Sequence, residues 1–486
     1  MAQSLSYSGD LPPESFNLAR YCLGGKPAQK TALVIAGDKS RYYTYAEIED
    51  LVLRMAQGLR RAGLVPGDRL LIRMRNSLDF ALTFFAANAA GLVPVPVSPM
   101  LTAIEVARLV ADCAPAAVAW DGLAALPEGT RVLDPAALHK SPPGDYENTG
   151  KNDPAFLVYT SGTTAMPKGV LHAQRAVWGR RPMYQGWYGI TSDDVILHSG
   201  AMNWTYTLGT GLCDPWANGA TAIIYTGAPD ASVWSRLARD HGATIIASVP
   251  GLYRQMLKTG FNAPETLRHG LVAGDTLPLS VLEAWQSRTG LPLFEALGMS
   301  EISTYISSSP SVPVRRGSLG KPQPGRSVTI LVGGLIAVHR TDPGLMLGYW
   351  NHPEEESAVW LGEWFAGGDI GHTDKDGYVW HHGRAGDLMN AGGYRVSPVE
   401  VEAALLEHPS VLEAAVTEIK VREDVSIIVA FIVPVSPLEP ETLLRFASGR
   451  LATYKLPKEI RFVEALPRAA GGKLIRSALR QLFLTS

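Results

Sequence analysis

The stretch YTSGTTAMPKGV, Tyr159–Val170, decides both the fold and the chemistry of this chain. It follows a short continuous apolar run, Ala155–Tyr159, which reads as a strand. Thr160, Ser161, Gly162, Thr163 and Thr164 come directly after that strand, and Lys168 stands four residues further on. Glycine lets the backbone bend until several N–H groups converge on one anion. Hydroxyls add donors, and a lysine adds a mobile positive charge. Together they suit the phosphates of ATP. The pattern is not a Walker A loop, because Lys168 is followed by Gly169 instead of serine or threonine. It also lacks the GxSxG of a hydrolase, so Ser161 is not read as a nucleophile. On residue types alone, a phosphate cradle and a plain polar turn fit equally well.

On the N-terminal side of the loop, helix and strand patterns alternate at short intervals. Thr44–Gly63 reads as an amphipathic helix with Leu51, Met55 and Leu59 four residues apart. A turn at Pro66–Asp68 leads to a strand pattern, Arg69–Met74, then a helix over Asp79–Ala90 and a strand over Val93–Val97. On the C-terminal side, strands are expected at Thr221–Tyr225, Thr244–Val249 and Thr329–Val332, with a crossover helix at Ala231–Asp240. This is an α/β signature. Arg315–Pro343 is turn-rich with short β runs, which suggests a β-type subdomain. The segment GRAGDLMNAGG, Gly383–Gly393, carries four glycines in eleven residues and marks a boundary. A compact α+β unit follows, with helices at Pro398–Glu407 and Glu441–Ser448 and strands at Leu412–Ile419, Val425–Val433 and Glu459–Val463. The expected division is 1–384 and 385–486.

At 486 residues the chain exceeds one ordinary core. The net charge of -2 gives no electrostatic reason for a nucleic-acid partner. Cys22, Cys113 and Cys213 form no CxxC pair and read as free thiols in a reducing compartment. No apolar run approaches the length of a membrane span, and the first residues carry no secretory pattern, so a cytoplasmic enzyme is expected, monomeric or homodimeric. His172, His198 and His241 are not at metal-ligand spacing, and the pair His381–His382 reads as packing or surface.

TSGTTAMPKG resembles the phosphate-loop signature of the adenylate-forming superfamily, whose usual form is TSGTTG-x-PKG; Ala165 replaces the glycine. Four further segments resemble that superfamily in the same order: LGMSE at Leu297–Glu301, EWFAGGD at Glu363–Asp369, GRAGDLMNAGGYRVSPVEVE at Gly383–Glu402 and PRAAGGK at Pro467–Lys473. The resemblance implies a large multi-subdomain N-terminal domain and a small mobile C-terminal domain. It implies ATP, Mg2+ and coenzyme A as ligands and an acyl-adenylate as intermediate. It makes Lys473 the catalytic lysine of adenylation, Lys168 a phosphate ligand and Glu301 the magnesium-associated carboxylate. It puts Ser300 on the nucleotide phosphate, Asp369 and Arg384 on the ribose, and Gly274, Leu297, Gly298 and Met299 around the nucleotide. Leu297 stands where a tyrosine usually packs on adenine. Gly386 stands at the hinge, and Gly392, Gly393 and Tyr394 line the path of the pantetheine thiol.

The same resemblance puts the acid near Met202–Gly211, Ala273–Asp275 and Gly298–Thr304, with Trp204, Gly298 and Ser303 as pocket residues. Trp204 reads either as a ring closing that pocket or as core packing. Gly91–Cys113 and Gly298–Gly325 look most like the benzoate-CoA ligase group. The expected substrate is an apolar monocarboxylic acid, aromatic or cyclic in preference to short-to-medium aliphatic. A stand-alone adenylating enzyme that loads a carrier protein, and a non-catalytic binding relative, are the competing readings.

Overall fold

The computed structural model describes residues 6–485 apart from 124, 161–166, 229, 275–276, 278, 385–388, 392–393, 397, 423–424 and 468–475. Among these, the chain forms mixed α/β layers around a nine-stranded sheet. The centre of that sheet is parallel: His269–Val272, Ile245–Ser248, Val195–His198, Thr221–Tyr225 and Thr31–Ala36 lie side by side in that order. Thr221–Tyr225 and Ile245–Ser248 are apolar on both faces, as a strand covered on both sides must be. Helix Val233–Asp240 carries the chain between them across Val195–His198, which makes it the expected crossover. A second, four-stranded parallel sheet contains Arg69–Arg73 and Val93–Pro96.

Helix Tyr45–Arg61 begins on a capping box in which Thr44 and Glu47 satisfy each other's backbone donors. Its buried stripe runs through Ile48, Val52, Met55, Ala56 and Leu59. Leu51 is only half-buried, so the apolar face is rotated from the spacing of Leu51, Met55 and Leu59 toward Val52. The helix packs on Leu78–Ala89, which is mostly apolar and buried from Phe80 to Ala89, Thr83 and Asn88 included.

The phosphate-loop segment joins two antiparallel strands, Pro154–Thr160 and Lys168–Ala173, and Gly348–Trp350 pairs with the second of them. Of the expected β region Arg315–Pro343, Val328–Ile330 and Leu335–His339 form a β unit that extends past it through Trp360–Leu361, Trp364–Thr373 and Val379–Arg384. The expected strand Thr329–Val332 stops at Ile330, because Gly333 turns with a positive φ of 81°. Beyond residue 388, the strands Val411–Arg422, Val425–Pro434 and Glu459–Phe462 form their own sheet with helices Pro398–Leu406, Pro440–Ser448 and Arg476–Thr485. A ribbon, Met389–Ala391 with Tyr394–Val396, precedes them. The three cysteines are free and buried. Among the described residues no helix is long and apolar enough to cross a membrane.

Candidate active site

In an open parallel sheet, ligands gather where the strands end at their carboxyl side. Here Trp204 follows strand Val195–His198, Gly274 follows His269–Val272, and Met299 ends Leu293–Met299. All three line one cleft of about 350 Å3. Thr160, Lys168, Gly298, Ser300, Glu301, Ser303 and Tyr394 line the same cleft. Segments far apart in sequence therefore converge on one space.

A tight hairpin builds the floor. Strand Leu293–Met299 pairs with Ser303–Ser307, and the register slips between Leu297 and Gly298. At Gly298 the partner strand comes so close that a β-carbon would lie 2.7 Å from the Ser303 carbonyl oxygen. Ser303 itself takes a positive φ of 78° to close the turn. The reversal leaves Ser300, Glu301 and Ile302 at the tip. His172 Nε2 lies 2.8 Å from the Ser300 carbonyl oxygen, and the Met346 N–H donates to the Glu301 carbonyl. The segment holding Met346 is anchored in turn by a buried pair, Arg326 Nη1 to Asp342 at 2.8 and 2.7 Å.

Glu301 Oε1 accepts a hydrogen bond from the Tyr349 hydroxyl at 2.7 Å. The Lys168 ammonium sits 5.1 Å from the centre of the Tyr349 ring. Tyr349 thus links a cation that suits phosphate to a carboxylate that suits a metal, and the sequence reading misses it. Its signal was its place in Gly348–Trp350, opposite Val170, but that needs the strand register. Among the described residues no three acidic, histidine or cysteine side chains cluster as a metal site. One carboxylate at the cleft is nonetheless the donor set that Mg2+ uses when phosphates and water supply its other ligands. The residues present fit that ion, with Glu301 to hold it.

Asp369 and Leu297 stand outside the cleft lining. Leu297 is buried in an apolar cluster with Val170, Met299 and Phe365. Asp369 is buried, its Oδ1 3.1 Å from His381 Nε2, and its backbone pairs with Arg384 across two antiparallel strands. His381, read from sequence as packing or surface, is therefore the partner of the nominated ribose carboxylate. Ser161, Gly162, Thr163, Thr164, Gly392, Gly393 and Lys473, together with Ala165, Asp275 and Gly386, lie outside the described residues, as does the side chain of Arg384.

The C-terminal elements close one wall. The Trp204 ring lies 5.3 Å from Tyr394, and Tyr394 stacks on Tyr454 at 4.1 Å. Trp204 is half-buried and lines the cleft, which favours its reading as a pocket residue over core packing. Beside Tyr454, the Lys455 ammonium bridges Glu105 at 3.1 Å and Glu400 at 2.7 Å, and all three are buried. Burial opposes the charge on Lys455, but Tyr454, Glu400 and Glu105 outweigh it and hold the pKa above its ordinary value. Glu105 does two things at once: its Oε2 caps helix Ala103–Cys113 through Thr102, while Oε1 holds Lys455. Glu407 makes a second, exposed bridge between Arg108 and Arg450.

The model of the AMP-binding enzyme family matches residues 22–350, and that of the AMP-binding enzyme C-terminal domain matches 400–473. The chain belongs to the AMP-binding enzyme family. It falls among that family's acid–CoA ligases. It is 32% identical to a benzoate–CoA ligase of Thauera aromatica over 515 residues, covering 96% of each chain. A double mutant of o-succinylbenzoate CoA synthetase from Bacillus subtilis, bound with its product analogue, superposes with a TM-score of 0.88 at 26% identity, covering 96% of this chain and 99% of that one. A benzoate CoA ligase from Burkholderia xenovorans LB400 superposes with a TM-score of 0.69 at 29% identity, covering 96% and 100%. Within the family, overall superposition therefore does not follow sequence identity.

Proposed function

We propose that the protein is an ATP-dependent aromatic acid–CoA ligase that works through an acyl-adenylate. The observation that carries this reading is the shared cleft. It joins a phosphate-type lysine, Lys168, a metal-type carboxylate, Glu301, and an aromatic wall, Trp204, to a residue from the C-terminal elements, Tyr394.

A carboxylate is a poor acyl donor because oxide would have to leave. In the first step one oxygen of the acid attacks the α-phosphorus of ATP, and the bond to pyrophosphate breaks. The barrier is the approach of an anion to a polyanion, so positioning and charge neutralisation do the catalysis. Lys168 and the loop from Thr160 through Ser161, Gly162, Thr163 and Thr164 hold the leaving pyrophosphate. Glu301 would hold Mg2+, which when bound would supply charge neutralisation on the phosphates. Asp369 and Arg384 hold the ribose, and Lys473 bridges the acid and the α-phosphate. In the second step the CoA thiol, losing its proton, attacks the acyl carbon and AMP leaves. Gly392, Gly393 and Tyr394 then flank the pantetheine. One cleft serves both steps if the unit 385–486 turns about the Gly386 region on the unit 1–384. The Trp204–Tyr394 contact, and the superposition on a ligase carrying a product analogue, support the thioester-forming arrangement for the orientation described here.

The relatives' names and the aromatic lining of the cleft favour an arene carboxylate over an aliphatic acid. Pyrophosphate release, measured over aromatic, cyclic and C2–C12 acids with and without CoA, tests this. An arene carboxylate should give the highest kcat/KM, and CoA should be consumed. A preference for aliphatic acids, or turnover only on a phosphopantetheinylated carrier protein, overturns the reading. Lys473→Ala should nearly abolish adenylate formation and largely spare thioester formation from supplied adenylate. Equal loss in the two half-reactions removes Lys473 from the role given to it.

A further inference from the structure

The phosphate-loop segment leaves one strand at Thr160 and returns on its neighbour at Lys168, and these two residues are paired. The next row runs across three strands: Tyr159 lies opposite Gly169, and Gly169 lies opposite Trp350. Gly169 has no side chain, and the row has no room for one. A β-carbon there would lie 3.1 Å from Trp350 Cβ and 3.4 Å from Tyr159 Cε1.

Asp112 joins the two outer members of this row from outside the sheet. Its Oδ2 accepts a hydrogen bond from the Tyr159 hydroxyl at 2.5 Å. Its Oδ1 accepts from Asn351 Nδ2 at 3.1 Å. Its backbone carbonyl accepts from the same Nδ2 at 3.1 Å and from Trp350 Nε1 at 3.2 Å. Burial, with Cys113 and Asp112 nearby, pushes the Tyr159 hydroxyl above its ordinary pKa, so it stays a donor.

Asp112 stands in the last turn of helix Ala103–Cys113. A carboxylate there faces the negative end of the helix dipole, which helix formation alone disfavours. The helix end is itself fastened. Arg69 donates to the Cys113 carbonyl through Nε at 2.8 Å and to the Ala114 carbonyl through Nη2 at 2.9 Å. Asp112 is thus a fixed point that grips two strands, at a position where local preference would put another residue. Such a departure, matched by distant partners, marks a task beyond the helix.

The row borders the phosphate end of the cleft. Lys168 directly precedes Gly169, and Tyr349 directly precedes Trp350. Tyr349 holds Glu301 through its hydroxyl and Lys168 against its ring. Tyr159, Thr160, Lys168, Glu301 and Tyr349 all line the cleft, whereas Asp112 stands behind them.

We propose that Asp112 is a positioning residue for adenylate formation: by clamping Tyr159 to Trp350 and Asn351 it sets Lys168 and Tyr349 against the phosphates of ATP. The inference rests on the acyl-adenylate reading above. Thioester formation from adenylate already made has no pyrophosphate to hold, so it does not draw on the clamp.

The test compares Asp112→Ala, Asp112→Asn, Tyr159→Phe and the double variant Asp112→Ala/Tyr159→Phe. Adenylate formation is followed by pyrophosphate release over a range of ATP, and thioester formation is followed from supplied adenylate and CoA. Asp112→Ala and Tyr159→Phe should each lower kcat/KM for ATP by about tenfold, while the KM for the acid and the rate of thioester formation stay within about twofold. The double variant should be no worse than Asp112→Ala, because both changes remove the same bond. Asp112→Asn keeps an acceptor for the Tyr159 hydroxyl and should come within about threefold of the unaltered protein. Equal slowing of both half-reactions overturns the inference, as does an unchanged ATP dependence or losses that multiply in the double variant. If Asp112→Ala does not fold, Tyr159→Phe, which loses only a hydroxyl, decides by the same split. Absence of pyrophosphate release from the unaltered protein with every acid tried removes the adenylate reading itself, and the inference with it.

Discussion

Tyr349 shows how much of this site depends on a single hydroxyl. Its O–H···O bond fixes one oxygen of Glu301, and its ring underlies the Lys168 ammonium. Tyr349→Phe removes the bond and keeps the ring. Adenylate formation, followed by pyrophosphate release, should then slow by about tenfold, the usual worth of a hydrogen bond to a charged group, while the melting temperature barely moves. A change smaller than about twofold would mean that Glu301 needs no such support. Lys168, Glu301 and Trp204 were legible in the sequence because each sits inside a motif or a pocket segment. Tyr349 and His381 were not, because a strand register brings them to their partners across 48 and 12 residues, and no local pattern records that pairing.

Among the elements, the hairpin Leu293–Ser307 does the most to shape the cleft. Gly298 is required there by contact and not by backbone freedom: an added β-carbon would meet the Ser303 carbonyl oxygen at 2.7 Å and Thr304 Cα at 2.8 Å, both of them backbone atoms that cannot swing aside. Gly298→Ala should therefore destabilise the protein by about 1–3 kcal/mol, read as a lowered melting temperature, and should alter the acid profile because Ser303 moves with the strand. An unchanged melting curve would refute the close approach. The LGMSE motif pointed to this place, but the sequence suggested no strand there, since LFEALGM mixes glycine and charge into a short apolar run. The helix Tyr45–Arg61 was easier to foresee, having both a capping pair and an apolar stripe; only the rotation of the stripe had to come from packing against Leu78–Ala89.

For the whole molecule, periodicity and glycine content suggest successive units, whereas nothing local in the sequence records their mutual placement. That placement depends on contacts such as Glu105–Lys455–Glu400, whose members are up to 350 residues apart. Lys455→Met leaves two buried carboxylates without their cation, which is costly. If the present orientation is the one that makes the thioester, this substitution should slow that half-reaction by about tenfold or more, with a smaller effect on adenylate formation. Equal slowing of both half-reactions, measured separately, would count against the bridge as a selector of orientation.

Glu105 gives that bridge a further property. Its second oxygen is already committed to Thr102, so the carboxylate is held in place by its own helix whether or not Lys455 is present. The N-terminal half of the contact is a rigid socket, and only the arriving plug has to be ordered. If the C-terminal unit swings as proposed, such a socket gives it the same seat on every turnover, with the memory of that seat kept in a helix cap.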